Sequence, residues 1–146
     1  MKKLLLTAFI AVSISISSFA QGINEVDKNA IDNFEATFTG ASNVEWTSTK
    51  NFTIASFMQD DRKVEVFYDP AGEFVATTRQ IDIEDAPAYS RKIITRKYID
   101  YVVKEAFEFR ADNELHYFIS IENDKENIVL KVKEGSVSIF SQTEKS

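Results

Sequence analysis

The chain has no cysteine. That excludes disulfide bracing, thiol catalysis and thiolate metal sites, and it leaves the apolar core to carry stability alone. His116 is the only histidine among 146 residues. A histidine ligand set or a Ser-His-Asp relay needs further partners, and no second histidine or nucleophile motif accompanies this one. Four glycines are too few for phosphate-cradling loops. Basic residues are outnumbered, 17 against 23 acidic, for a net charge of −6. An acidic chain disfavours nucleic acid and anionic lipid as partners, because both attract a basic surface. The apolar run Leu4–Ile16 is shorter than the roughly 20 residues that span a bilayer.

That run instead fits an export signal. Lys2 and Lys3 precede it, and Ser18-Phe19-Ala20 puts small residues at the positions a signal peptidase requires. Residues 1–20 are therefore expected to be a signal peptide, cleaved between Ala20 and Gln21. No cysteine follows the cleavage point, so a lipoprotein anchor is excluded. The expected destination is the periplasm or the outside of a bacterial cell, with no membrane span after cleavage. Loss of two lysines and no acid leaves 15 basic and 23 acidic residues, a net charge of −8.

The remaining chain reads as one supersecondary unit used twice, over residues 21–82 and 83–142, with 143–146 as a polar tail. Gln21–Thr39 carries Ile23, Val26, Ala30, Ile31, Phe34 and Phe38 at helical spacing, and Gly40 stops it. Four strands follow: Val44–Thr47, Phe52–Met58, Lys63–Asp69 and Phe74–Ile81. They are separated by polar hairpin tips and by the Asp69-Pro70-Ala71-Gly72 turn. A second helix is predicted over Pro87–Tyr98, then strands over Tyr101–Arg110, Leu115–Glu122, Asn127–Lys133 and around Val137–Ile139. Phe34 and Phe38 return 60 positions later as Ile94 and Tyr98; Val44, Trp46, Phe52, Ile54 and Gly72 return 63 positions later, while the inward phase of the third strand matches only at 64. Glu105 breaks the apolar phase of its strand, so it either sits at a bulge or lies past the edge of the core. The fold class is α+β: a tandem repeat of one helix plus a four-stranded antiparallel sheet. The two sheets are expected to stand side by side with the helices on one face.

Phe34, Phe38, Val44-Glu45-Trp46, Val64–Gly72, Arg96-Lys97-Tyr98 and Lys104–Phe109 carry a resemblance. Over about residues 24–140 the pattern is similar to the beta-lactamase-inhibitor-like, PepSY-like secreted domains of bacteria. The resemblance implies two sheets joined in one curved surface. In the inhibitor that gives the family its name, the concave face and its hairpins grip an enzyme. That inhibitor is disulfide-braced and this chain is not, so what is carried over is a fold and a binding face, not inhibition of a beta-lactamase.

Phe57, Phe67, Phe118 and Phe140 take the outward phase of their strands, together with Val129. Outward aromatics mark an exposed patch for a protein or peptide partner. Asp60 and Asp61 lie on a hairpin tip that could enter a cleft, and His116 reads as a surface or interface residue beside Phe118. Asn123–Asn127 lacks the length and the glycine of a calcium loop, so neither a metal nor a cofactor is expected, and no catalytic residue stands out. The expected function is that of an exported, non-enzymatic, inhibitor-like binding module. The alternatives are a self-associating envelope protein that forms a homodimer through the same face, and a small hydrolase working through a carboxylate pair.

Overall fold

A computed structural model describes residues 26–146. The expected signal peptide, its Ala20–Gln21 cleavage point and the first residues of the predicted first helix lie outside the described residues. Helix α1 (Lys28–Thr37) is followed by β1 (Glu45–Ser48), β2 (Thr53–Gln59), β3 (Arg62–Tyr68) and β4 (Phe74–Ile81). A single 3₁₀ turn (Ile83–Asp85) leads to α2 (Ala88–Lys97), then β5 (Val102–Ala111), β6 (Glu114–Glu122), β7 (Glu126–Lys133) and β8 (Ser136–Glu144). β8 runs to Glu144, so the first half of the expected polar tail is strand. No described helix is long and apolar enough to cross a membrane.

The strands form one eight-stranded antiparallel sheet in sequence order. This overturns the expectation of two four-stranded sheets. β4 pairs directly with β5, from Thr77 opposite Arg110 to Ile81 opposite Ala106. Separate sheets would leave both strands as edges with unpaired backbone groups, and the ladder satisfies them.

Both helices lie on one face. Register carries that face from Phe57 through Val64, Arg79, Glu108 and Tyr117 to Val132. At one end α1 sets Ala30 and Phe34 onto Ala55, Phe57, Val64, Val66 and Tyr68. Phe34 meets Trp46 and Phe57 edge-on, with centroids 5.3 and 5.4 Å away. Burying such a ring contributes about 1.5–3 kcal/mol. At the other end Ile94 of α2 packs with Ile119, Ile121, Ile128, Leu130 and Val132. Between the helices the face is polar: Arg79 lies opposite Glu108, which receives a 2.5 Å hydrogen bond from Arg110 Nε.

Each helix is tied to the glycine turn of its own half. Asp27 caps α1 by accepting from Asn29 N, and Asn33 Nδ2 donates to Gly72 O at 2.8 Å. In the second half Gly135 N donates to Tyr89 Oη at 3.0 Å. The buried helix positions repeat at 60: Ala30 with Ser90, Phe34 with Ile94.

The strand repeat differs from the expectation. Phe52 and Ile54 lie on the helix-free face, but Leu115 and Tyr117, 63 positions later, lie on the helix face. Equivalent burial recurs at 64, as expected for the third strand: Val64 with Ile128, Val66 with Leu130. The expected bulge in β5 is present between Val103 and Glu105. Its consequence is that Phe107 and Phe109 face away from Val103, not with it.

Gly72 adopts φ +82°, and a Cβ there would sit 2.6 Å from Asn29 Cβ and 2.7 Å from Ala30 N. Gly135 has φ +83° with open space around it. Gly72→Ala should therefore lower unfolding free energy by about 2–5 kcal/mol, left-handed strain plus overpacking, and Gly135→Ala by about 1–2. Urea unfolding of the two variants measures the difference; equal losses would dissociate Gly72 from the helix contact.

Candidate binding face

Neither α1 nor α2 covers the opposite face. It carries a cluster of Phe52, Ile54, Phe67, Ala76, Phe109, Phe118 and Val129, with Phe140 packed against it. The rings meet edge-on: Phe52 with Phe67 at 6.2 Å, Phe109 with Phe118 at 6.1 Å, Phe118 with Phe140 at 5.2 Å. Phe109 also stacks on the His116 ring at 5.9 Å. Edge-to-face pairs add about 0.5–1.5 kcal/mol each beyond area burial.

A polar row crosses this apolar face. Register places Ser56, Glu65, Thr78, Phe109 and His116 in line over five strands. Glu65 is 3% exposed; Lys63 Nζ stands 3.0 Å from its Oε1 as an ion pair, yet that oxygen accepts no hydrogen bond. His116 is 1% exposed, and neither ring nitrogen is hydrogen-bonded among the described residues. Glu114 Oε2 lies 3.6 Å from Nε2. Burial depresses the His116 pKa below its ordinary value, Lys131 and Lys133 push it the same way, and Glu114 and Glu134 oppose.

The structure brings together Phe67, Phe118, Phe140 and His116. It corrects three expectations. Phe57 belongs to the helix face, edge-on to Phe34 and Phe38, because its partner is Val64. Phe67 and Phe118 are buried, not exposed. His116 is likewise buried. Asp60 and Asp61 form the tight β2–β3 turn with φ of 51° and 59°, the geometry of a two-residue hairpin. Asp60 reaches Arg79 Nη2 at 3.6 Å, toward the helix face and away from the aromatic cluster. Phe52, Ile54, Phe109 and Thr78 were missed as members of this face. The signal for them was the 64-residue spacing, which pairs Phe52 with His116 and Ile54 with Phe118.

Chemistry elsewhere is sparse. Two clefts of about 170 and 250 Å³ flank the end of α1, and Glu35 is the one acid lining either. Asp85, Glu122 and Glu126 have pKa values lowered by hydrogen bonds from Arg62, from Lys104 and from Tyr101 respectively. Such shifts keep a carboxylate ionised and unsuited to act as a general acid.

No protein-family model matches the chain, and no curated protein matches it. Solved structures do. A DUF2874 family protein from Bacteroides uniformis superposes with a TM-score of 0.71 at 10% identity, covering 81% of this chain and 88% of that one. A protein assigned to the periplasm of Bacteroides eggerthii gives 0.71 at 14% identity, over 82% and 88%. A BLIP-like protein from Bacteroides fragilis gives 0.66 at 19% identity, over 81% and 85%. At these identities the likeness is one of fold, and the fold it shares is BLIP-like.

The buried His116 predicts an acid-dependent loss of stability. Its pKa is near 6.5 in the unfolded chain and lower in the folded protein. Between those values the unfolded state holds more protons. The His116 contribution is therefore intact above about pH 6.5 and falls as pH drops through the window. Urea unfolding at about pH 7.5 and about pH 5 should show a smaller acid loss in His116→Phe than in the wild type. Identical losses would contradict the assignment.

Proposed function

We propose that this chain is an exported, non-enzymatic binding module that engages a protein or peptide partner through its helix-free sheet face. The observation that carries the reading is the aromatic cluster on that face, drawn from strands β3, β5, β6 and β8 and crossed by polar groups with unmet hydrogen-bonding capacity. Apolar rings with a few placed polar groups are what protein recognition uses. The BLIP-like fold and the periplasmic assignment of one structural neighbour support it. Kinship with PepSY-like secreted domains, cleavage after Ala20 and residence outside the cytoplasm belong to the same proposal. A carboxylate hydrolase is disfavoured, since the clefts beside α1 hold no pair of acids.

A second reading, self-association, is favoured by β8. Among the described residues this outer strand pairs only with β7; it spans nine residues and carries no charge from Ser136 to Thr143. β1, at the other edge, has four residues and begins with Glu45. Long uncharged edges are templates for strand addition, and short or charged ones are not. Ile139 on β8 is 51% exposed.

The test is a pull-down from native envelope and culture medium with the chain from Gln21 to Ser146, against Phe140→Asp. Phe140 is half-buried at the rim of the cluster, so its variant should remain folded. The proposal expects a protein captured by the wild type and lost with the folded variant. Capture unchanged by Phe140→Asp would refute the face. A dimer by light scattering that Ile139→Lys converts to monomer would establish the second reading instead.

A further inference from the structure

We propose that His116, Lys131 and Lys133 form an anion-accepting subsite on the helix-free face, one that takes an aspartate or glutamate side chain of the partner protein. The inference rests on the binding-face reading above and adds the chemistry of what the face accepts.

Two independent observations lead there. The first is His116, a buried ring with no hydrogen bond at either nitrogen. A desolvated imidazole is costly to leave unsatisfied, and its N–H needs an acceptor. The second is the distribution of cations on the sheet. Among the described strands, Arg62, Lys63, Arg79, Lys104 and Arg110 each pair with a carboxylate. The Lys131 and Lys133 ammonium groups make no ion pair or hydrogen bond among the described residues, although both residues are half-buried. Lys131 lies directly opposite Phe118, and Lys133 shares its face two residues on. Burial lowers the Lys131 pKa, which marks a desolvated ammonium lacking a close counter-charge.

The three groups share one face of adjacent strands: Lys131 is opposite Phe118, and with Tyr117 opposite Val132 the same register sets Lys133 beside His116. The other charges facing it are Glu114 on its own strand and Glu134 in the β7–β8 turn; β5 offers only the Phe109 ring. In a chain of net charge −6, two ammonium groups without a bonded carboxylate among the described residues stand here beside Phe118 and Phe140. A carboxylate placed there accepts from the ring N–H and from an ammonium, and aromatic neighbours suit an apolar partner surface around it. An incoming carboxylate also favours the imidazolium, so affinity rises as pH falls toward the bound-state pKa of His116.

The chain holds one histidine, so its ring resonances in an NMR spectrum need no assignment. The probes are N-acetyl-phenylalanine, which carries a carboxylate, and N-acetyl-phenylalaninamide, which does not. The carboxylate should shift the His116 ring signals saturably and raise its pKa, while the amide leaves both near their free values. Lys131→Gln with Lys133→Gln should weaken the carboxylate about five- to tenfold, as loss of two ion pairs allows, and Lys131→Arg should retain it. Backbone amide spectra report whether each variant is folded. Equal response to both probes, no response to the carboxylate in the tens of millimolar, or unchanged affinity in the folded double variant would overturn the subsite. Because the probes need no partner, that failure is separable from a failed pull-down, which bears on the face as a whole.

Discussion

The ladder between β4 and β5 is the interaction on which the rest depends. Each half, at about 60 residues, is a marginal unit by itself, and each would end in an open strand edge. Pairing Thr77–Ile81 with Ala106–Arg110 closes both edges and fuses two helix-capped units into a continuous surface. The fusion also fixes which face is which. Once β4 and β5 are in register, the α1 and α2 clusters must fall on the same side, and Phe67, Phe109 and Phe118 must share the other.

The two faces then divide the work. The helix face is closed by the chain's own α1 and α2, with glycine turns locking each helix at its N-terminal end. The other face gathers rings from successive strands and inserts Glu65, Thr78 and His116 among them. Polar groups in such surroundings weaken a fold unless they are satisfied, and the proposed binding role would give Glu65 and His116 a use that stability does not. The unpaired lysines of β7 fit the same account, since every other strand cation described has found a carboxylate within the chain.

Local features were legible in the sequence because local chemistry sets them. The two helices, the Asp69–Gly72 turn, the Asp60-Asp61 hairpin and the inward phases of β3, β6 and β7 follow from periodicity and turn preference. Whatever depended on pairing was not. The β4–β5 ladder joins segments separated by a whole helix, and no residue type announces it. Phe57 was assigned outward because Phe52–Met58 is apolar on both faces, so alternation alone cannot choose between them. The β5 bulge was visible at Glu105, but the reversal it imposes on Phe107 and Phe109 was not followed through. That single step also shifts the strand repeat from 63 to 64 and hides the equivalence of Phe52 with His116. The burial of His116 had no sequence signature at all: a lone histidine flanked by Leu115 and Tyr117 reads the same on a surface.

Native-state hydrogen exchange across β4 and β5 tests the central claim most directly. If one sheet unites the two halves, amides of Thr77–Ile81 and Ala106–Arg110 that bond across the ladder exchange only with global unfolding. Their opening energy and denaturant dependence then match those of β3 and β6. Exchange of the β4–β5 amides through a smaller opening, with β2–β3 and β6–β7 still protected, would contradict the account. The protein would then be two loosely docked halves rather than one continuous face.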